Sequence, residues 1–395
     1  MRPIIRRAGK TLGVVAVGYG TYTAAVQYRA GLEIARRKRE EPDLERRFAP
    51  IRILGRYVNP FEEYRHQTLF EFGFRRISEL FALHPAGDVP VDREVLRRAL
   101  PIYEPDFQAQ IHASWVPNWA PEFVQKYASS SKMALTWFGQ SCALAQLPGN
   151  VNILTDPMFA DYVVSKNVGP QRLVPAPVSA LEIPQPNVIL VSHDHQDHLD
   201  LAAAAELTRK GTMWIVPQGV GKHLPSEAKF VEMTWWDRIP LPQVDPKEGY
   251  EVACTPAMHW SGRALYDSNT TLWCSFLILR HGKPVFFHGG DTGYTPDMFK
   301  AIAKVYGDRC SVAMVPCGAY IPRWHLRAQH MAPHESLETM RDLGAKNMVG
   351  VHWGTFVMSE EPFSEPPKKL LELARNGGFE NVVAPSVGKT MVFDI

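Results

Sequence analysis

Residues Val188 to Asp200 read VILVSHDHQDHLD, and this stretch decides the fold. The apolar run VILVS reads as a buried strand, and LAAAAELTRK from Leu201 onward reads as a helix. Between them lie His193, Asp194, His195, Gln196, Asp197 and His198. A strand-to-loop-to-helix junction aims several side chains at one point. His193 and His195 are two apart, so an extended backbone puts both imidazoles on one face, where they can share an ion. Asp197 and His198 fall where the chain turns and can serve a second ion. Mixed imidazole and carboxylate ligation suits zinc, iron or manganese, with zinc the default. A solvated His/Asp loop is the bland alternative, and the apolar strand feeding the cluster argues against it.

Working outward, suitable partners stand behind other apolar runs. His259 lies in TPAMHWSGR after EVACTPA, Asp291 in FFHGGDTGY after PVFF, and His352 in MVGVHWGTF after NMVGV. Upstream, MALTWFG and VNILTDP read as short strands, and Pro148, Gly149 and Asn150 suit a hairpin turn. Gly289, Gly290 and Gly293 read as tight-turn glycines, because no phosphate-loop motif accompanies them. His288 reads as a packed strand-end histidine. Trp235, Trp236, Trp260, Trp324 and Trp353 are divided evenly between core and lipid-facing readings.

The order HxHxDH, distant His, GDTG and final His resembles the metallo-β-lactamase superfamily. The closer resemblance is to the N-acylphosphatidylethanolamine-hydrolysing phospholipase D family. It rests on TWFG, ILTDPMF, GPQRLVPAP, HDHQDHLD, WWD, HWSGR, GDTGY, GAYIPRW, QH and VHWGTF, in order from Thr136 to Phe356. The resemblance implies an α/β fold, the αβ/βα four-layer sandwich, with two zinc ions at one edge. It implies that His193, His195 and His259 bind one zinc and that Asp197, His198 and His352 bind the other, with Asp291 bridging. Asp156, in ILTDP, resembles the aspartate that orients a ligand histidine. His330, in AQHMAP, matches a histidine near the substrate headgroup. Asp291 and His330 are thus the catalytic candidates, and Gln196 and His330 the substrate-binding ones. Gln196 stands where the family often carries a Tyr, and Gln140 where relatives have the His of a GHA-like turn, which puts any supporting role for Gln140 in doubt.

The implied reaction is cleavage of N-acylphosphatidylethanolamine to an N-acylethanolamine and phosphatidic acid by a hydroxide bridging two zinc ions. The alternatives are a hydrolase of the same fold acting on a soluble substrate, a lactonase or phosphodiesterase, and a membrane-anchored scaffold with a dormant site. Product identification and metal analysis separate the three.

Composition bounds the partners. The 395 residues carry a formal charge of +2, too little for a nucleic-acid binder. Residues 1–39 hold nine Lys or Arg and one acid, whereas the remainder holds 34 basic and 40 acidic residues. Five scattered cysteines without a CxxC read as packed thiols. Three readings of the N-terminus stay open: a mitochondrial presequence with a marginal membrane span, a signal anchor or secretory signal, or a surface-lying amphipathic segment. The span would be TLGVVAVGYGTYTAAVQY, from Thr11 to Tyr28. Membrane phospholipids are expected partners, at the mitochondrial inner membrane or an endomembrane, and a homodimer is kept open. The organisation expected is a basic anchor over 1–41, an extension and linker over 42–130, and a hydrolase domain over 131–395. Within the extension, Leu69, Phe70, Phe72, Phe74, Ile77, Leu80 and Phe81 fit a helix-like face, and Pro85 to Asp106 reads as linker.

Overall fold

The computed structural model describes residues 2–112, 131–209, 211–264 and 266–395. The N-terminal part holds α1 (Arg2–Glu40), α2 (Leu44–Arg47), a hairpin of β1 (Ile51–Ile53) and β2 (Arg56–Val58), α3 (Leu69–Ser78), α4 (Arg93–Ala99) and α5 (Ala109–His112). The expected boundary at 130/131 falls at the edge of residues 113–130, outside the described residues.

Two seven-stranded sheets follow. The first is built from β3 (Lys132–Gly139), β4 (Cys142–Leu147), β5 (Val151–Thr155) and β6 (Val188–Leu190), then α6 (Leu201–Arg209), β7 (Met213–Pro217) and β8 (Lys229–Met233). The second contains β9 (Arg238–Pro240), β10 (Tyr250–Thr255), β11 (Ser275–Arg280), β12 (Lys283–His288), α7 (Pro296–Tyr306) and β13 (Val312–Pro316). It continues through α8 (Arg323–Leu326), α9 (Pro333–Asp342), β14 (Asn347–Val351), α10 (Glu365–Asn376) and β15 (Val382–Val383), and β16 (Thr390–Asp394) returns to the first sheet. The strand orders are β16-β3-β4-β5-β6-β7-β8 and β15-β14-β13-β12-β11-β10-β9. Each sheet is parallel at one end and antiparallel at the other, so the two halves mirror each other.

Period-two alternation builds the layers. Met133, Leu135 and Trp137 of β3 join a core shared with Phe286 and Phe287 of β12, whereas Leu144, Leu154 and Ile189 face the other way and meet Leu207 of α6. Sheet packs on sheet, with helices outside: the αβ/βα sandwich that the motifs imply. Pro148, Gly149 and Asn150 turn β4 into β5, as expected of them. All five cysteines are buried and free.

The N-terminal part differs from expectation. The Pro85–Asp106 stretch is packed rather than a loose linker: Leu96 of α4 and Leu100 are buried in the main core, and the Tyr103 amide donates to the Val387 carbonyl. Ile51, Ile53, Tyr57 and Phe61 belong to that core as well. Its Pro and charge content hid these apolar anchors. Thr11 to Tyr28 lies within one long helix, α1, but no helix among the described residues is long and apolar enough to cross a membrane. Thr11, Thr21, Thr23 and Gln27 dilute its apolar content. Farther along, α1 buries Val26 and Ala30 against the core.

Candidate metal centre

The loops leaving β5, β6, β10, β12 and β14 bring the predicted residues together. His193 Nε2 lies 2.8 Å and His259 Nε2 3.3 Å from His195 Nδ1. In the second group, His198 Nε2 lies 3.0 Å from Asp291 Oδ2 and 3.4 Å from Asp197 Oδ2. His352 Nε2 lies 3.1 Å from Asp291 Oδ1 and 3.6 Å from Asp197 Oδ2. Asp291 therefore touches the second group with both carboxylate oxygens, and reaches the first at 3.9 Å from His259 Nε2. Within each group, one ligand atom per residue lies within 4.8 Å of all the others.

Supporting hydrogen bonds set the tautomers. Asp156 is fully buried and accepts from the Ser192 amide (2.6 Å), the Ser192 hydroxyl (2.7 Å), His198 Nδ1–H (2.8 Å) and His288 Nε2–H (3.0 Å). The Ser192 hydroxyl in turn accepts from His193 Nδ1–H at 2.9 Å, and His259 Nδ1–H donates to the Gln329 carbonyl at 3.0 Å. His193, His198 and His259 thus spend their Nδ1 protons outward and aim Nε2 lone pairs inward. Lone-pair nitrogens crowded this closely, with at most a proton to share, fit a cation placed among them. Burial first, then neighbouring imidazoles, push His193 well below its ordinary pKa, keeping it neutral as a ligand must be. In the carboxylate-lined half the balance reverses. Burial opposes the charge, yet Asp291, Asp197 and Asp156 hold His198 well above the usual range, and Asp291 and Asp197 raise His352 to about 9. That half attracts positive charge, so the donor set fits divalent metal throughout.

The backbone is bent to make this possible. Asp156 and His352 sit at φ +36° and +62°, and Gln140 at +52°, all left-handed conformations that non-glycine residues rarely take. Gly290 of the GGD loop is required where it stands: at φ +57°, a Cβ would lie 2.4 Å from the Ser192 Cβ. The GGD loop can approach the metal loop that closely only without a side chain.

His330 is buried and leans on the site. Its Nδ1 is 3.8 Å from Asp291 Oδ2, and its ring centroid is 5.3 Å from that of His259 and 5.2 Å from that of His352. With His259 and Asp291 it forms a third compact group. Burial pushes its pKa down to about 3. The Gln196 side-chain amide donates to the Arg263 carbonyl at 2.9 Å. Gln140, whose role the sequence left in doubt, reaches the centre: Nε2 donates to Asp197 Oδ2 at 2.7 Å and lies 2.9 Å from His352 Nε2. His288 is packed at a strand end, as read, with Asp156 as its partner. Sequence reasoning missed Arg263, whose Nη1 donates to the carbonyls of Asp194 (2.9 Å) and Leu199 (3.0 Å) and clamps the metal loop. Its place in the HWSGR motif was the available signal. Of the tryptophans, Trp235 and Trp353 are core, whereas Trp324 is exposed.

Residues 151–353 match the model of the beta-lactamase superfamily domain. A protein of Saccharomyces cerevisiae named N-acyl-phosphatidylethanolamine-hydrolyzing phospholipase D, mitochondrial, is 40% identical over 88% of this chain and 78% of its own. The N-acyl-phosphatidylethanolamine-hydrolyzing phospholipase D 1 of Caenorhabditis elegans is 31% identical over 72% of this chain and 77% of its own. The chain belongs to the N-acylphosphatidylethanolamine-hydrolysing phospholipase D family. Membership makes it a metal-dependent phosphodiester hydrolase of the metallo-β-lactamase fold. The fold is shared with Igni18, a metallo hydrolase of Ignicoccus hospitalis, at TM-score 0.51 and 22% identity, covering 67% of this chain and all of that one.

Proposed function

We propose that this member hydrolyses N-acylphosphatidylethanolamine at its distal phosphodiester bond, releasing an N-acylethanolamine and phosphatidic acid, with two zinc ions at the centre. The observation that carries the reading is the convergence of the histidine trio and the Asp197, His198, His352 group on the single carboxylate of Asp291. The names of the yeast and nematode relatives support the substrate. When bound, the two ions supply Lewis acidity, acidifying water and neutralising phosphate oxygens.

The chain's own residues do the rest. His193, His195 and His259 would hold one ion and Asp197, His198 and His352 the other, with the Asp291 carboxylate within reach of both groups. Asp156 fixes the His198 tautomer. His330 steers the phosphate or amide of the headgroup, and Gln196 contacts the product side from the rim of the metal loop. The basic N-terminal segment and the yeast relative's name support a mitochondrial membrane as the place of action. A dormant scaffold is disfavoured, since every ligand candidate is present and assembled.

The test is to offer purified protein N-acylphosphatidylethanolamine and to measure both products alongside metal content. Zinc near two per chain, and turnover lost on chelation and restored by zinc, are expected. Asp291→Asn should release at least one ion and abolish turnover. Full activity in that variant, or absence of phosphatidic acid from the metal-loaded wild type, would overturn the reading.

A further inference from the structure

Helix α3 is amphipathic in the reverse sense of a core-packed helix. The face it turns toward the protein is polar: Arg75 is buried and pairs with Glu360 (2.5 Å) and Glu79 (3.3 Å), and Glu71 pairs with His325 at 3.1 Å. Its apolar face looks outward. Leu69, Phe70, Phe72, Phe74 and Ile77 are each about half exposed, and Phe81, just beyond the helix, is 81% exposed. A surface helix ordinarily buries its apolar stripe and solvates its charges. Here the ion pairs fix the helix so that its aromatic face stays outside, which leaves an apolar patch that water disfavours.

The patch connects through α8 to the loop that carries His330. Phe74 packs edge-on against Trp324 of α8 (5.7 Å between ring centroids), and a cleft of about 360 Å³ opens between α3 and α8. The His330 amide donates to the Leu326 carbonyl of that same α8. On its other side the patch meets α1, where the Tyr19 ring lies 5.5 Å from Phe70 and its hydroxyl accepts from the Leu69 amide at 3.0 Å. That helix, Arg2–Glu40, holds nine Lys or Arg and two acids.

We infer that the outward face of α3, with Phe81 and Trp324, is the surface on which this protein rests on an anionic phospholipid bilayer. Aromatic side chains beside a cationic segment are what a negatively charged lipid interface accepts. The geometry also explains how a three-chained lipid reaches the site when no helix among the described residues is long and apolar enough to span a membrane: the surface delivers the headgroup toward the α8–His330 loop while the glycerol-linked chains stay in lipid. This last step rests on the lipid-hydrolase reading, whereas the bilayer contact itself does not.

The test uses the full chain and the variant Phe70→Ser/Phe72→Ser/Phe74→Ser. All three rings are exposed, so folding should persist, and unchanged zinc content and melting temperature check this. Partition onto phosphatidylcholine vesicles with and without phosphatidylglycerol is measured by co-sedimentation, and size in solution by light scattering. Each ring inserted is expected to contribute roughly tenfold, so the triple variant should bind phosphatidylglycerol vesicles about a thousandfold more weakly. Turnover of a short-chain, water-soluble N-acylphosphatidylethanolamine should be unchanged while turnover on vesicles collapses. Wild-type vesicle partition by the variant would overturn the proposal. So would a wild-type dimer that the variant dissolves with vesicle binding intact, because the patch would then be a face between two copies. If the wild type cleaves neither substrate, the functional reading fails, and the partition measurement still decides the surface.

Discussion

Replacing Asp156 by Asn tests whether the centre is assembled from behind. The carboxylate accepts four hydrogen bonds in a fully buried position. Asn can keep the Ser192 amide on its carbonyl oxygen, and its NH2 can donate to the Ser192 hydroxyl. That NH2 then stands where the shared oxygen was, and it can accept from neither His198 Nδ1–H nor His288 Nε2–H. Losing two bonds to a charged acceptor costs about 1.5–3 kcal/mol each. Linkage gives a comparable figure. Burial works against the charge, but the imidazoles of His288 and His198 win and hold the carboxyl down to about 2. Against an unfolded value near 3.9, that is roughly 2.5 kcal/mol. Both figures describe the same contacts, so the metal-free variant should unfold about 3 kcal/mol more easily. Because the folded pKa is the lower one, this stability is present above about pH 4 and is lost as pH falls toward 2, so wild type and variant should converge there. The NH2 would also favour the His198 tautomer with its proton on Nε2, blocking the ligand lone pair. Metal affinity should then drop roughly 10- to 100-fold. Denaturant unfolding of the metal-free proteins at several pH values, and chelator competition for zinc, measure the two effects. A variant within about 0.5 kcal/mol of wild type at pH 7, with unchanged zinc affinity, would refute the reasoning.

Further outcomes are expected at and around the site. His330→Ala should keep both metals and lose turnover by roughly 10²-fold or more, whereas His352→Ala should lose metal as well as activity; zinc content alongside phosphatidic acid release separates the two, and metal loss in His330→Ala would make it a ligand. Gln140→Ala removes the donor to Asp197 and should weaken zinc retention on the Asp197–His198–His352 side about tenfold, as read by chelator competition. Fusing residues 1–41 to a reporter should direct it to mitochondria; a reporter diffuse in the cytosol would refute the address.

The local chemistry of the site was legible because metal ligation imposes residue type and spacing on the chain itself. His193 and His195 had to alternate with one residue between them on an extended backbone, and Asp291 and His352 had to end apolar runs, so ligand candidates and fold class both stood in the sequence. What spacing does not carry is which atom faces which. The engagement of Gln140 with Asp197 depends on a left-handed turn between β3 and β4 meeting the end of β14, more than two hundred residues on. Gln196 could be assigned to the substrate from its motif position, but only the packed loop shows its amide donating to the Arg263 carbonyl. The N-terminal third shows the same division. The apolar spacing of residues 69–81 forecast a helix face, since periodicity is local. Whether that face turned inward was settled by Arg75 finding Glu360 and Glu71 finding His325, partners far away in the chain. Local pattern determined the elements and the ligand types; long-range ion pairs, hydrogen bonds and packing decided which faces look into the core, the metal centre or the surroundings.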